Sequence, residues 1–102
     1  MVTKENMQTI LHAADKPILI EFYTTYCPFC AVSLQELHKL AIEKGDAAYF
    51  GIFDVTEEQE FRLEQDLLDI PTFRIYSGAE CVAEKSGLQT STLLLEMLAS
   101  IE

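Results

Sequence analysis

The chain has 102 residues, enough for one domain spanning 1–102 that buries a modest core. Its 17 acidic and 7 basic residues leave a net charge of −10, which argues against a nucleic-acid partner, whose phosphates need Lys and Arg, and against anionic membranes. No apolar run reaches the ~18 residues of a membrane span, and the start Met1-Val2-Thr3-Lys4-Glu5-Asn6 lacks the charged-then-apolar order of a secretion signal, so a cytoplasmic location is expected.

Lys4 to Ala14 is predicted as a helix with Thr3 as its N-cap and Met7, Ile10, Leu11 and Ala14 facing the core. Pro17 stops it. Ile18 to Tyr23 is apolar on both faces except at Glu21, as befits a central strand covered on both sides. A carboxylate in that strand costs desolvation free energy unless it is paired or neutral, and no basic residue lies near it in sequence. Thr24-Thr25-Tyr26 is a loop, and a helix is expected from about Pro28 to Lys44, with Gly45 as a C′ residue. Its predicted apolar stripe takes in Cys30 or Ala31, Leu34, Leu37, Leu40 and Ala41. Ala48 to Phe53 is a second strand. Thr56-Glu57-Glu58-Gln59 has the pattern of a capping box opening a third helix that carries Phe61, Leu63, Leu67 and Leu68. Phe73 to Tyr76 and Glu80 to Glu84 form a hairpin around Ser77-Gly78-Ala79. Thr90 caps a last helix with Leu94, Met97, Leu98 and Ile101 on its core face. The order α-β-α-β-α-β-β-α predicts an α/β fold: a mixed four-stranded sheet, its first two strands parallel, with helices on both faces.

The chemistry concentrates at Cys27-Pro28-Phe29-Cys30, which follows the first strand and opens the second helix. Free N–H groups and the positive end of the helix dipole stabilise an anion there, so Cys27 is the expected thiolate nucleophile. Cys30 lies one turn on, within reach of a disulfide, and Pro28 suits the first helical turn because it needs no N–H partner. Half of a zinc site is the competing reading. It needs four ligands, and Cys81, His12 and His38 are not at finger-like spacing, so no metal is expected. Two buried structural cysteines are the other alternative. His38 lies about 12 Å along the helix from Cys30 at about 1.5 Å per residue, too far for a catalytic base. Cys81 reads as a small strand residue.

With these residues the chain resembles the thioredoxin family. Ile18 through Cys30 is similar to that family's strand and active site. Ile70-Pro71-Thr72 is similar to its Ile-Pro-Thr, at the family's separation from Cys27, and Ser86-Gly87 to its later glycine loop. The resemblance covers nearly the whole chain from Thr3 onward. It implies a cis Pro71 packed beside the dithiol, Gly87 lining a substrate groove, and Glu21 in the position of the family's buried aspartate. The chain departs from the pattern in several places: Pro-Phe stands between the cysteines where Gly-Pro is usual, Tyr26 where a tryptophan is, and Gln35 where a helix-kinking proline is. It begins almost at its first helix, without the family's leading strand.

The implied activity is thiol–disulfide oxidoreduction on protein disulfides, with a thioredoxin-reductase-like electron donor and no cofactor. Cys27 attacks and Cys30 resolves. Glu21 takes the proton, and Pro71 shapes the contact. Tyr26, Pro28, Phe29, Ile70, Thr72 and Gly87 would meet the substrate, the backbone of Ile70 by strand-like pairing. A glutaredoxin-like protein, deglutathionylating or holding an iron–sulfur cluster, is an alternative suggested by Pro-Phe, although Thr-Val-Pro and Gly-Gly-x-Asp motifs are missing. A non-catalytic binding module is another. The strand Tyr49–Phe53 should form a sheet edge that Met1-Val2-Thr3 is too short to cover. A weak homodimer through that edge, or the first helix folded across it, is expected.

Overall fold

A computed structural model describes residues 1–101. The elements run α1 (Met7–Ala13), β1 (Ile18–Tyr23), α2 (Pro28–Lys44), β2 (Tyr49–Asp54), α3 (Gln59–Glu64), β3 (Thr72–Ser77), β4 (Glu80–Ser86) and α4 (Ser91–Ala99). The sheet order is β2-β1-β3-β4. β1 pairs parallel with β2 and antiparallel with β3, and β3–β4 is the antiparallel hairpin, so the predicted α/β layout holds.

Side chains alternate across β1 and build two cores. Ile18, Ile20 and Phe22 face α1 and α3 and pack with Met7, Leu11, Phe53 and Phe61. Phe53 stacks on Phe61 at 4.8 Å between ring centroids, with Phe22 5.4 Å from Phe53. Leu19 points the other way and joins Leu37, Leu40, Phe73, Ile75, Leu94 and Met97 under α2 and α4. By the same alternation Glu21 lies on the α2 side, where its residue is fully buried. Thr90 caps α4 as predicted, its hydroxyl accepting the Leu93 N–H at 3.2 Å.

Three local expectations are corrected. The first helix begins at Met7 rather than Lys4, because Thr3 and Asn6 close a separate turn reciprocally: Asn6 N–H donates to the Thr3 hydroxyl (3.2 Å) and Thr3 N–H to Asn6 Oδ1 (2.7 Å). The capping box at Thr56 does not form. Its hydroxyl donates to Asp54 (2.6 Å) and accepts the Thr25 N–H (3.0 Å), and α3 starts only at Gln59 without a side-chain cap. So short a helix carries Phe61 and Leu63 only, Phe61 buried and Leu63 exposed, while Leu67 and Leu68 lie beyond its end, the first buried and the second exposed. Gly45 adopts right-handed helical dihedrals (φ −58°) rather than the left-handed C′ conformation, as the turn continues to Ala47, whose N–H reaches the Lys44 carbonyl at 2.9 Å.

The edge at β2 is partly covered after all. Val2 forms a parallel bridge with Phe53, its N–H donating to the Ile52 carbonyl at 2.8 Å. Gly51 makes this approach possible, since a Cβ there would lie 2.9 Å from Val2 Cγ2. Farther along, Val2, Ile10, Ala14, Ile18 and Phe50 line an open hollow of about 390 Å³ beside the strand.

Candidate active site

β1 delivers the chain from the middle of the sheet to the start of α2, and Cys27 occupies the N-cap of that helix with extended dihedrals (φ −101°, ψ 111°). An N-cap residue turns its side chain back over the first turn. Here the acceptor is sulfur: Cys27 Sγ takes the Cys30 N–H at 3.2 Å. Pro28, at the first helical position, leaves no orphan donor there. Cys27 is half-buried and Cys30 fully buried behind it. Burial pushes the Cys30 thiol up to about 12, the Cys27 thiol beside it adds to that, and the Thr24 backbone N–H works in the opposite direction.

The loop before β3 meets this helix end. The Ile70–Pro71 bond is cis, and the Ile70 carbonyl lies 3.9 Å from Cys27 Sγ. Thr72 is buried; its hydroxyl donates to the Asp69 carbonyl and lies 3.1 Å from Ser86 Oγ. Gly87 has φ 88°, a left-handed conformation costly for other residues, and its N–H donates to the Pro71 carbonyl at 2.8 Å. The fold thus gathers Cys27, Pro28, Cys30, Ile70, Pro71, Thr72 and Gly87 at one end of the sheet. Tyr26 and Phe29 flank the cysteines and are 71% and 61% exposed, an apolar rim around Cys27 Sγ.

Glu21 stands beneath α2. Neither carboxylate oxygen finds a hydrogen-bond partner among the described residues, and burial raises its pKa from 4.5 to about 8. Its charge in turn contributes to the upward shift of Cys30, so the two groups interact. Cys81 is exposed on β4 opposite Tyr76, by the hairpin turn and at the other end of the strand from Thr72 and Ser86, and His38 is exposed on α2.

The family model described as Thioredoxin matches residues 1–100. The chain belongs to the thioredoxin family. It is 26% identical over 102 residues to the chloroplastic thioredoxin-like protein CITRX of Oryza sativa subsp. indica, covering 98% of this chain but 52% of that relative. It is 27% identical to the thioredoxin of Mycolicibacterium smegmatis, over 96% of this chain and 89% of the relative. The chain therefore spans about half the length of some curated relatives it matches and most of others. A crystal structure of chloroplastic thioredoxin z superimposes with a TM-score of 0.87 at 19% identity, over 98% of this chain and 90% of that one, a likeness of fold.

Two residues of this thioredoxin-family site had no place in the sequence reading. Ser33 is fully buried one turn after Cys30, and its hydroxyl accepts the Gln89 N–H at 3.3 Å. Gln89 Nε2 holds the Ser86 and Gly87 carbonyls at 3.2 and 3.4 Å, fastening the glycine loop to α2. The signal for Ser33 was a hydroxyl on the stripe of Cys30, Leu37 and Leu40. Gln89 carried no signal, because its contacts are with residues of its own loop and a helix far away in sequence.

Proposed function

We propose that the chain is a thiol–disulfide oxidoreductase acting on protein disulfides. The reading is carried by one observation: Cys27 Sγ is held at a helix start by the Cys30 N–H and faces the Ile70 carbonyl, with Cys30 buried behind it. In the reaction Cys27 attacks as a thiolate, one substrate sulfur leaves as a thiolate, and a mixed disulfide forms. Cys30 then loses its proton and attacks Cys27 Sγ. The second substrate sulfur leaves, and the chain is left with a Cys27–Cys30 disulfide. Two electrons have passed to the substrate, and a dithiol donor of the thioredoxin-reductase class would restore the starting state.

The difficult step is deprotonating Cys30, whose pKa is pushed up to about 12. Glu21 is the acceptor we assign. Its raised value of about 8 leaves roughly one molecule in ten ionised at pH 7, and in that form it is a stronger base than an ordinary carboxylate, with no hydrogen-bond partner among the described residues. The Ile70 backbone beside Pro71 would pair with an extended substrate segment, between the Tyr26–Phe29 rim and the Gly87 loop.

Insulin reduction driven by dithiothreitol tests the activity, and Cys30→Ser tests the roles. That variant should accumulate covalent mixed disulfides through Cys27, released by added thiol. A wild-type chain that reduces no disulfide would leave the binding-module reading. Iron-dependent colour in the purified protein would point to the glutaredoxin-like one.

A further inference from the structure

In the segment that leads into Ile70, Leu63 and Leu68 project into solvent, 70% and 66% exposed, at a groove of about 290 Å³ that they form with Gln59, Arg62 and Leu67. The groove is held in shape from within. Arg62 donates to the Leu67 and Leu68 carbonyls at 3.1 and 3.2 Å, and the buried Arg74 binds the Gln65 carbonyl and the Glu84 carboxylate. It is also continuous with the reactive end of the sheet. Leu68 is two residues from Ile70, at most about 7.6 Å between Cα atoms at ~3.8 Å per step, and the Ile70 carbonyl is 3.9 Å from Cys27 Sγ. Extended chain advances about 3.3 Å per residue. A peptide whose cysteine meets Cys27 therefore reaches the groove three or four residues away.

The charge around it selects a partner. Glu57, Glu58, Glu60, Glu64, Asp66 and Asp69 belong to the stretch 57–69, against the single cation Arg62. Lys4 offsets only Glu58, to which it is paired at 3.2 Å, and Arg74 is withdrawn into the fold against Glu84, which leaves five acids against Arg62. An anionic segment would be repelled and a basic one steered in.

We propose that this groove docks the substrate protein and takes an apolar side chain of a cationic segment, three or four residues from the cysteine that Cys27 attacks. The proposal rests on the oxidoreductase reading and adds a substrate class to it. The probe is a lysine-flanked peptide whose one cysteine is a mixed disulfide with 2-mercaptoethanol and whose leucine stands four residues from that cysteine, made with the leucine on either side. Versions with the leucine replaced by serine or the lysines by glutamate complete the set. The readout is the ratio of kcat/KM for the peptide to that for hydroxyethyl disulfide, a small neutral disulfide that does not reach the groove.

Loss of the leucine should lower the ratio about tenfold. Leu63→Ser with Leu68→Ser should abolish that dependence. Glu60→Lys with Glu64→Lys should weaken the preference for lysine and flatten the fall of kcat/KM with salt, which is screened over a Debye length of about 10 Å at 0.1 M. Equal ratios across the peptides and variants, with hydroxyethyl disulfide still reduced, would overturn the docking proposal alone. No reduction of insulin, of the peptides or of hydroxyethyl disulfide would overturn the oxidoreductase reading and the docking with it. A concentration-dependent dimer lost in Leu63→Ser would assign the groove to a second copy of the chain, against the proposal.

Discussion

Replacing Glu21 with glutamine keeps the side chain's size and removes its charge, which isolates the cost of holding a carboxylate in the core. The folded chain binds this proton with a pKa of about 8, against 4.5 for an unperturbed carboxyl. Below about pH 4.5 the group is protonated whether folded or unfolded and contributes nothing to the pH dependence. Between about 4.5 and 8 the folded state holds a proton that the unfolded state has released, so stability falls as pH rises, at up to about 1.4 kcal/mol per pH unit. Above about 8 both states are ionised and the loss is complete. The two values give a penalty of about 3 kcal/mol at pH 7 and nearly 5 kcal/mol, roughly, above pH 9. Glutamine also leaves buried polar atoms without partners, but at a cost that does not vary with pH. Urea melts of the two proteins at pH 5, 7 and 9 measure the effect, because other titrations cancel in the difference. The variant should gain on the wild type by about 4 kcal/mol between pH 5 and 9, while its mixed disulfide resolves more slowly. Stability profiles that run parallel would refute both the buried charge and the proton role built on it.

Iodoacetamide mapping at neutral pH should label Cys27 and exposed Cys81 but spare Cys30, whose pKa of about 12 leaves about one thiolate in 10⁵ at pH 7; equal labelling of Cys27 and Cys30 would contradict the geometry. Phe53→Ala should cost about 3–5 kcal/mol in a denaturant melt, because its ring closes the cluster with Phe22 and Phe61; a loss below about 1 kcal/mol would mean that the core repacks. Gly51→Ala should drive Val2 off the β2 edge, for about 1 kcal/mol and with faster exchange of the Val2 amide, since the added Cβ would lie 2.9 Å from Val2 Cγ2; an unchanged Val2 amide would refute the close approach. We also propose weak self-association along the stretch of β2 beyond Val2, to be read by light scattering, and a strict monomer at high concentration would refute it.

The apolar run Ile18–Tyr23, the proline-punctuated cysteine pair and the 3.6-residue spacing of Leu37, Leu40, Leu94 and Met97 were enough to place the sheet, its helices and the reactive turn. Those signals survive in one dimension because the strand, the helix face and the N-cap are each set by residues close together in the chain. Contacts between distant segments decided the rest. The Thr56 hydroxyl met Asp54 and Thr25 instead of capping α3, and that helix shrank until Leu63 and Leu68 faced water. Ser33 acquired Gln89, and Val2 settled on Ile52, partners that local spacing does not announce. Glu21 shows the division within a single residue. A carboxylate in an apolar strand was legible as an anomaly, but its raised pKa depends on whether a donor or cation from another element comes to meet it. Among the described residues none does, and desolvation alone sets the shift.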